Sequence, residues 1–167
     1  KPRACGIVSL AMLLMHWQKK GTSLIENSPK KLIEWLLRKC YEYDGYLWNI
    51  GWKHKSLAEV IHLASSNSLI GINFDFARLP LQTAMKLTLN ILKDIPLLAS
   101  IKGSNNSDGH LVVIRGCIET HQELKLVIND PQARTRDKVV RQMPIERFQK
   151  IFNKRIIIAE PNIIRYP

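Results

Sequence analysis

The stretch GHLVVIRGCIETHQELKLVINDP, residues 109–131, decides how this chain is read. It holds two apolar, β-branched runs, His110 to Ile118 and Leu124 to Asp130, separated by polar residues around Thr120. Runs of this length bounded by turn residues read as strands rather than helices. Folded as a hairpin centred on Thr120, they put His110 and Asp130 ten residues either side of the turn, opposite one another. Directly opposed side chains of an antiparallel pair share a face, with Cβ atoms about 4.5–5.5 Å apart, so the spacing predicts a carboxylate–imidazole hydrogen bond. A one-residue slip would exchange faces and make Asn129 the partner instead.

Working outward, strands are expected from Pro96 to Ile101 and from Arg155 to Ala159, with a short helix from Pro144 to Asn153 before the last of them. The segment from Gly103 to Gly109 is polar and predicts a flexible loop. Ile70, Ile72, Phe74 and Phe76 alternate with small or polar residues, which is the pattern of a half-buried strand beginning at Leu69. Pro80 then opens a helix to Lys93.

Upstream, helical spacing takes over. Ser28-Pro29 supplies a cap and a first-turn proline for a helix from Lys30 to Arg38, and another helix starts at Ser56 with Leu57, Val60, Ile61 and Ala64 on one side. Tyr41 to Lys53, aromatic and glycine-bearing, predicts a loop over the core. The first helix runs from about Cys5 to Lys20 and stops at Gly21. Helices first and strands afterwards is the order of an α+β domain, here one domain over residues 1–167 with its N-terminal helix packed on an antiparallel sheet.

Cys5 begins that first helix. A helix N-terminus carries unpaired backbone N–H groups and about half a positive charge, both of which favour thiolate over thiol and would hold a developing oxyanion. Alone, Cys5 reads as a small buried residue. With His110 as base and Asp130 as the group orienting the ring, it becomes a candidate nucleophile for attack on a carbonyl through a thioester.

Composition narrows the alternatives. Three cysteines, Cys5, Cys40 and Cys117, show no Cys-x-x-Cys spacing, so neither a disulfide scaffold nor a structural zinc site is expected, and nothing calls for a metal or cofactor. Cys40 and Cys117 are expected to be buried, His16 and His62 to sit at the surface or its boundary, and His121 to be exposed at the turn. His54, between Lys53 and Lys55, is a candidate for lining a groove. The net charge of +11 attracts anionic partners, but the chain lacks zinc-finger and RNP-type motifs and is only 7% aromatic, which disfavours nucleic acid. The apolar run from Ile7 to Met15 is shorter than the ~20 residues a bilayer span needs. No phosphate-binding Gly-x-x-x-x-Gly-Lys-Ser/Thr loop is present, so the chain is not itself an ATP-driven transporter. Its start at Lys1 rather than Met suggests a trimmed N-terminus. The reduced thiol favours a cytoplasmic setting.

Three blocks, Cys5-Gly6-Ile7-Val8-Ser9-Leu10-Ala11-Met12, Gly109-His110-Leu111-Val112-Val113-Ile114-Arg115-Gly116 and Val127-Ile128-Asn129-Asp130-Pro131, resemble cysteine-peptidase family thirty-nine. These papain-like peptidases include the leader-cleaving domains of bacteriocin exporters and stand-alone homologues. The resemblance covers nearly the whole chain and implies a papain-like fold, a peptide or protein substrate, and a triad of Cys5, His110 and Asp130. It also implies a glutamine oxyanion donor several residues before the cysteine, where this sequence has only Lys1-Pro2-Arg3-Ala4. The same three residues would equally serve an acyl transferase or amidase, and a peptide-binding domain without turnover is the other class the pattern admits.

Overall fold

Four consecutive apolar residues in the middle of a strand, as at 111–114 and 156–159, leave no face for water, so the sheet containing them must be covered on both sides. That is the arrangement in the computed structural model, which describes residues 4–47, 50–103, 109–133 and 135–163. The elements in order are α1 (Cys5–Lys19), α2 (Pro29–Glu42), β1 (Tyr46–Leu47), β2 (Gly51–Trp52), α3 (His54–Ala64), β3 (Leu69–Asp75), α4 (Leu81–Leu92), β4 (Leu97–Lys102), β5 (Gly109–Glu119), β6 (Leu124–Asn129), β7 (Val140–Pro144), α5 (Ile145–Ile151) and β8 (Phe152–Pro161). Six strands form one antiparallel sheet in the order β3-β8-β4-β5-β6-β7, giving the expected α+β fold with the N-terminal helix on an antiparallel sheet.

Alternation along β5 divides the core. Leu111 and Val113, with Leu98 and Ile157, pack under α1, α2 and α3 against Ile7, Leu10, Leu14, Leu36 and Ile61. Val112 and Ile114, with Ala99, Ile128, Ile156 and Ile158, pack on the other face against α4 and α5 through Ala84, Met85 and Phe148. Each fully buried Leu or Ile contributes roughly 1.5–3 kcal/mol through removal of apolar area from water. α1 is itself enclosed between β5 and the other two helices, which explains why its apolar residues point in several directions. It ends where Gly21 takes a φ of +98°, the left-handed conformation that glycine adopts without strain.

The structure corrects the expected elements in four places. Residues 41–53 are not one loop: α2 continues to Glu42 because Cys40, one turn beyond Leu36, keeps the buried stripe going, and β1 and β2 then form a small hairpin. Tyr46 and Trp52 pack at 4.8 Å between ring centroids, and Tyr41 lies 5.4 Å from Trp52. β7 was not expected, since Val140 and Gln142 are exposed on this edge strand and leave no apolar alternation to read. The β5–β6 hairpin is not centred on Thr120. Glu119 faces Leu124, so the turn lies between His121 and Gln122, and a bulge at Arg115 then shifts the pairing so that Val113 faces Asn129. Finally, Cys117 is exposed, because past the bulge β5 extends beyond the helical cover. The polar loop expected at 103–109 falls largely on residues 104–108, outside the described set, as do Lys1, Pro2 and Arg3.

Candidate active site

Cys5 is the first residue of α1, preceded by Ala4, which offers no side-chain cap to the free N–H groups of the first turn. Two contacts fix this end of the helix. Gly6 approaches the indole of Trp52 so closely that a Cβ at position 6 would lie 2.6 Å from Trp52 Cδ1. One turn along, the buried Ser9 hydroxyl donates to the carbonyl of Leu111 at 2.8 Å, tying α1 to β5 at the residue after His110.

His110 is the second residue of β5 and only 6% exposed. Its Nε2 lies 2.8 Å from Oδ1 of Asp130. The two are not directly opposed as the Thr120-centred hairpin required. Continuing the observed register by one pair sets Asp130 beside Val112, two residues from His110. A displacement of two residues keeps both side chains on one face, and the imidazole spans the diagonal. Asn129, the alternative partner, faces away across from Val113, and its Oδ1 is buried without a hydrogen-bond donor.

Asp130 is held on all sides. Its backbone N–H donates to Val139 at 2.8 Å, Oδ1 also accepts from the Gln132 N–H at 3.0 Å, and Oδ2 pairs with Arg141 at 2.9 Å. Because a carboxylate only accepts, Nε2 must carry the proton in this bond. That leaves Nδ1, buried and without another hydrogen-bond partner, as the ring nitrogen turned to the Cys5 thiol.

Electrostatics follow from these contacts. Burial alone favours the neutral imidazole, but the hydrogen bonds to Asp130 and Cys5 and their charges outweigh it and raise the His110 pKa to about 9. Burial likewise disfavours the Cys5 thiolate, yet the His110 ring and the backbone N–H groups of Leu111 and Gly6 bring its pKa below the ordinary thiol value. The His110 hydrogen bond, more than the Gln132 N–H or Arg141, holds Asp130 below the usual carboxylate range. The combined direction is toward a thiolate–imidazolium pair braced by a carboxylate. Cys40 shows the contrast: fully buried and unpartnered, its thiol is pushed up to about 12.

The structure thus brings Cys5, His110 and Asp130 together, while Cys40 and Cys117 lie elsewhere. Arg141 was missed in the sequence, where its edge strand gives no signal and only Arg–Asp complementarity across a tight connection could have suggested it. His54 lines a shallow pocket with Lys53, Asn73 and Arg155. His121 is exposed, and His16 and His62 are partly buried on their helices. Among the described residues, no group of three or more His, Cys, Asp or Glu side chains could hold a metal ion, and no helix is long and apolar enough to cross a membrane.

The sequence profile described as "Peptidase_C39 like family" matches residues 1–156. Among solved structures, the peptidase domain of Streptococcus ComA, described as a bi-functional ABC transporter involved in a quorum-sensing pathway, superposes with a TM-score of 0.60 at 19% identity, over 95% of this chain and 92% of its own. A double glycine motif protease from an AMS/PCAT transporter, solved in complex with its leader peptide, superposes with a TM-score of 0.56 at 19% identity, over 94% of this chain and 84% of its own. No curated protein matches the chain.

Proposed function

Because the chain belongs to the Peptidase_C39 like family, we propose that it is a thiol peptidase whose nucleophile, base and orienting residue are Cys5, His110 and Asp130. The observation that carries this reading is the placement of one buried imidazole between the Asp130 carboxylate, at 2.8 Å, and a thiol at the first turn of a helix.

In the reaction, the Cys5 thiolate attacks the carbonyl carbon of a peptide bond. Backbone N–H groups at the start of α1 receive the oxyanion, each such donor being worth about 10²–10³ in rate where it is well aimed. The His110 imidazolium gives its Nδ1 proton to the leaving amine, and the C–N bond breaks to leave a thioester on Cys5. The neutral ring then takes a proton from water, whose oxygen attacks the thioester, and the proton returns to the departing sulfur as the acid product leaves. Asp130 keeps Nε2 protonated and Nδ1 aimed at sulfur throughout. Trp52 packs against Gly6, the residue after Cys5. On the other side of Asp130 a pocket of about 440 Å³ opens between Gln132, Lys138 and Arg141.

The test is alkylation of the wild type with a peptidyl electrophile near neutral pH, read residue by residue by mass spectrometry. Cys5 should label far faster than Cys40 or Cys117, and His110→Ala should slow it by orders of magnitude. Equal labelling of Cys117, or a His110→Ala variant that labels like the wild type, would remove the assignment.

A further inference from the structure

Where β7 meets β6 its inner face is apolar, with Met143 buried opposite Leu126. Beside them stands a charge, Arg141, opposite the buried Ile128. An apolar side chain fills such a position without the desolvation cost of an ion. Arg141 instead turns to Asp130, with Nη2 2.9 Å from Oδ2, while its Nε is buried and finds no acceptor among the described residues. A donor left unmet costs stability. The guanidinium is therefore placed for the carboxylate rather than for packing.

Register explains how it arrives there. Val140 faces Asn129, so the next pair sets Asp130 beside Val139, whose carbonyl accepts the Asp130 N–H at 2.8 Å. Arg141 lies two residues from Val139, toward Ile128, and His110 lies two residues from Val112, in the opposite direction along β6. Both reach the carboxylate on a diagonal, and all three side chains share one face. Each Asp130 oxygen thus meets a different partner, Oδ1 the His110 ring and Oδ2 the guanidinium. The charged groups that face the ring itself are Asp130 and Cys5, and the β4 residue opposite it is the apolar Ile101, so Arg141 meets the ring by way of the carboxylate.

We propose that Arg141 is a positioning residue of this site, a counter-charge that limits how strongly Asp130 stabilises the His110 imidazolium. The inference rests on the peptidase reading given above. In that reaction the imidazolium must release its Nδ1 proton to the leaving amine, and a carboxylate with no counter-charge would make it a poorer acid. The His110 pKa is already raised to about 9, above the neutral range in which such an acid works best. Arg141 opposes a further rise. The same charge acts on Asp130: the His110 hydrogen bond first, then the Gln132 N–H, and last the charge of Arg141 lower its pKa.

The test is an NMR titration of the His110 ring in the Cys5→Ala protein, where the thiol no longer contributes, with and without Arg141→Met. Removing the guanidinium should raise the His110 pKa by about one unit, the lower end of the effect of a charge at this range, because Arg141 is 39% exposed to solvent. Arg141→Gln, polar but uncharged, should do the same, and Arg141→Lys, which keeps the charge, should stay near the parent value. A role confined to holding β7 in place predicts the opposite sign, since a loosened Asp130 would let the pKa fall. An unmoved or lowered pKa in the two uncharged variants, or an equal rise in Arg141→Lys, would overturn the proposal. A second measurement keeps Cys5 and follows its alkylation by iodoacetamide, whose departing iodide needs no proton. Arg141→Met should still react at neutral pH, and the alkaline step of its rate profile, where the imidazolium deprotonates, should move up by about one unit with the ring. An unmoved alkaline step would equally overturn it. The two readings fail separately: a wild-type Cys5 that labels no faster than Cys117 removes the peptidase and leaves the titration to decide Arg141, whereas a reactive Cys5 beside an unmoved His110 does the reverse.

Discussion

Asp130→Asn removes a charge from the His110 ring while changing the side chain's shape very little, and its effect can be worked out from the contacts. The ring's pKa is raised from an ordinary 6.5 to about 9 against the opposing effect of burial. The Asp130 hydrogen bond leads the influences that raise it, with the Cys5 contact next. Asparagine would keep an acceptor near Nε2 but leave Arg141, now without its carboxylate, as a net positive neighbour. The His110 pKa should therefore fall by at least about one unit, each unit corresponding to about 1.4 kcal/mol between the two protonation states. If it fell the whole way to its ordinary value, the imidazolium fraction at pH 8 would drop from ~0.9 to ~0.03, bounding the loss of proton-donating enzyme at about thirtyfold. The measurement is a titration of the histidine ring signals by NMR from pH 5 to 11 in the wild type, Asp130→Asn and Cys5→Ala, with His110 identified by its absence in His110→Gln. Because thiol and imidazole are coupled, the wild-type steps belong to the pair, and Cys5→Ala isolates the carboxylate's share. A wild-type His110 that titrates near 6.5, or one unmoved by Asp130→Asn, would refute the reasoning.

Three further outcomes are expected. The Asp130 pKa is lowered on folding, so its contribution to stability is present above the unfolded value near 3.8 and is lost as pH falls through the folded value; the stability gap between wild type and Asp130→Asn, read from urea unfolding, should be wide at pH 6 and narrow steadily as pH falls below about 3.8, with Arg141→Met showing a smaller loss that is complete at a higher pH than in the wild type. Ser9→Ala should cost about 1–2 kcal/mol in the same unfolding experiment through the buried bond to Leu111, and should slow Cys5 alkylation by loosening α1 from β5, a pairing of effects that an unaltered alkylation rate would contradict. Gly6→Ala should lower stability by about 1–3 kcal/mol despite alanine's better helix propensity, because its Cβ meets Trp52 at 2.6 Å, and combining it with Trp52→Leu should cost less than the two single changes added together.

The contact between His110 and Asp130 was legible because it needed only the parity of the two strands. The expected and observed registers differ by two residues, and a shift of two leaves every side chain on its own face. The reasons for the shift were not legible. A turn of two polar residues and a bulge at Arg115 are set by backbone geometry, for which Gly116 beside the bulge was the lone local cue. β1 and β2 escaped notice because two-residue strands show no period, and β7 because an edge strand with Val140 and Gln142 exposed does not alternate. Arg141 was lost with β7. The helices were easier, since burial at helical spacing, as at Leu57, Val60, Ile61 and Ala64, follows directly from packing on a sheet covered on both faces.

The bulge at Arg115 also determines which length changes this chain can tolerate. Lengthening the exposed turn at 120–123 leaves the ladder beneath it untouched, so loop variation there costs little. Deleting a single residue between Arg115 and His110 is a different event. It would send His110 to the opposite side of the sheet from Asp130 even if every remaining strand residue stayed apolar and the fold survived. Among relatives of this chain, odd-numbered insertions and deletions in that segment should be rare, and where one occurs a compensating bulge should accompany it within the same hairpin.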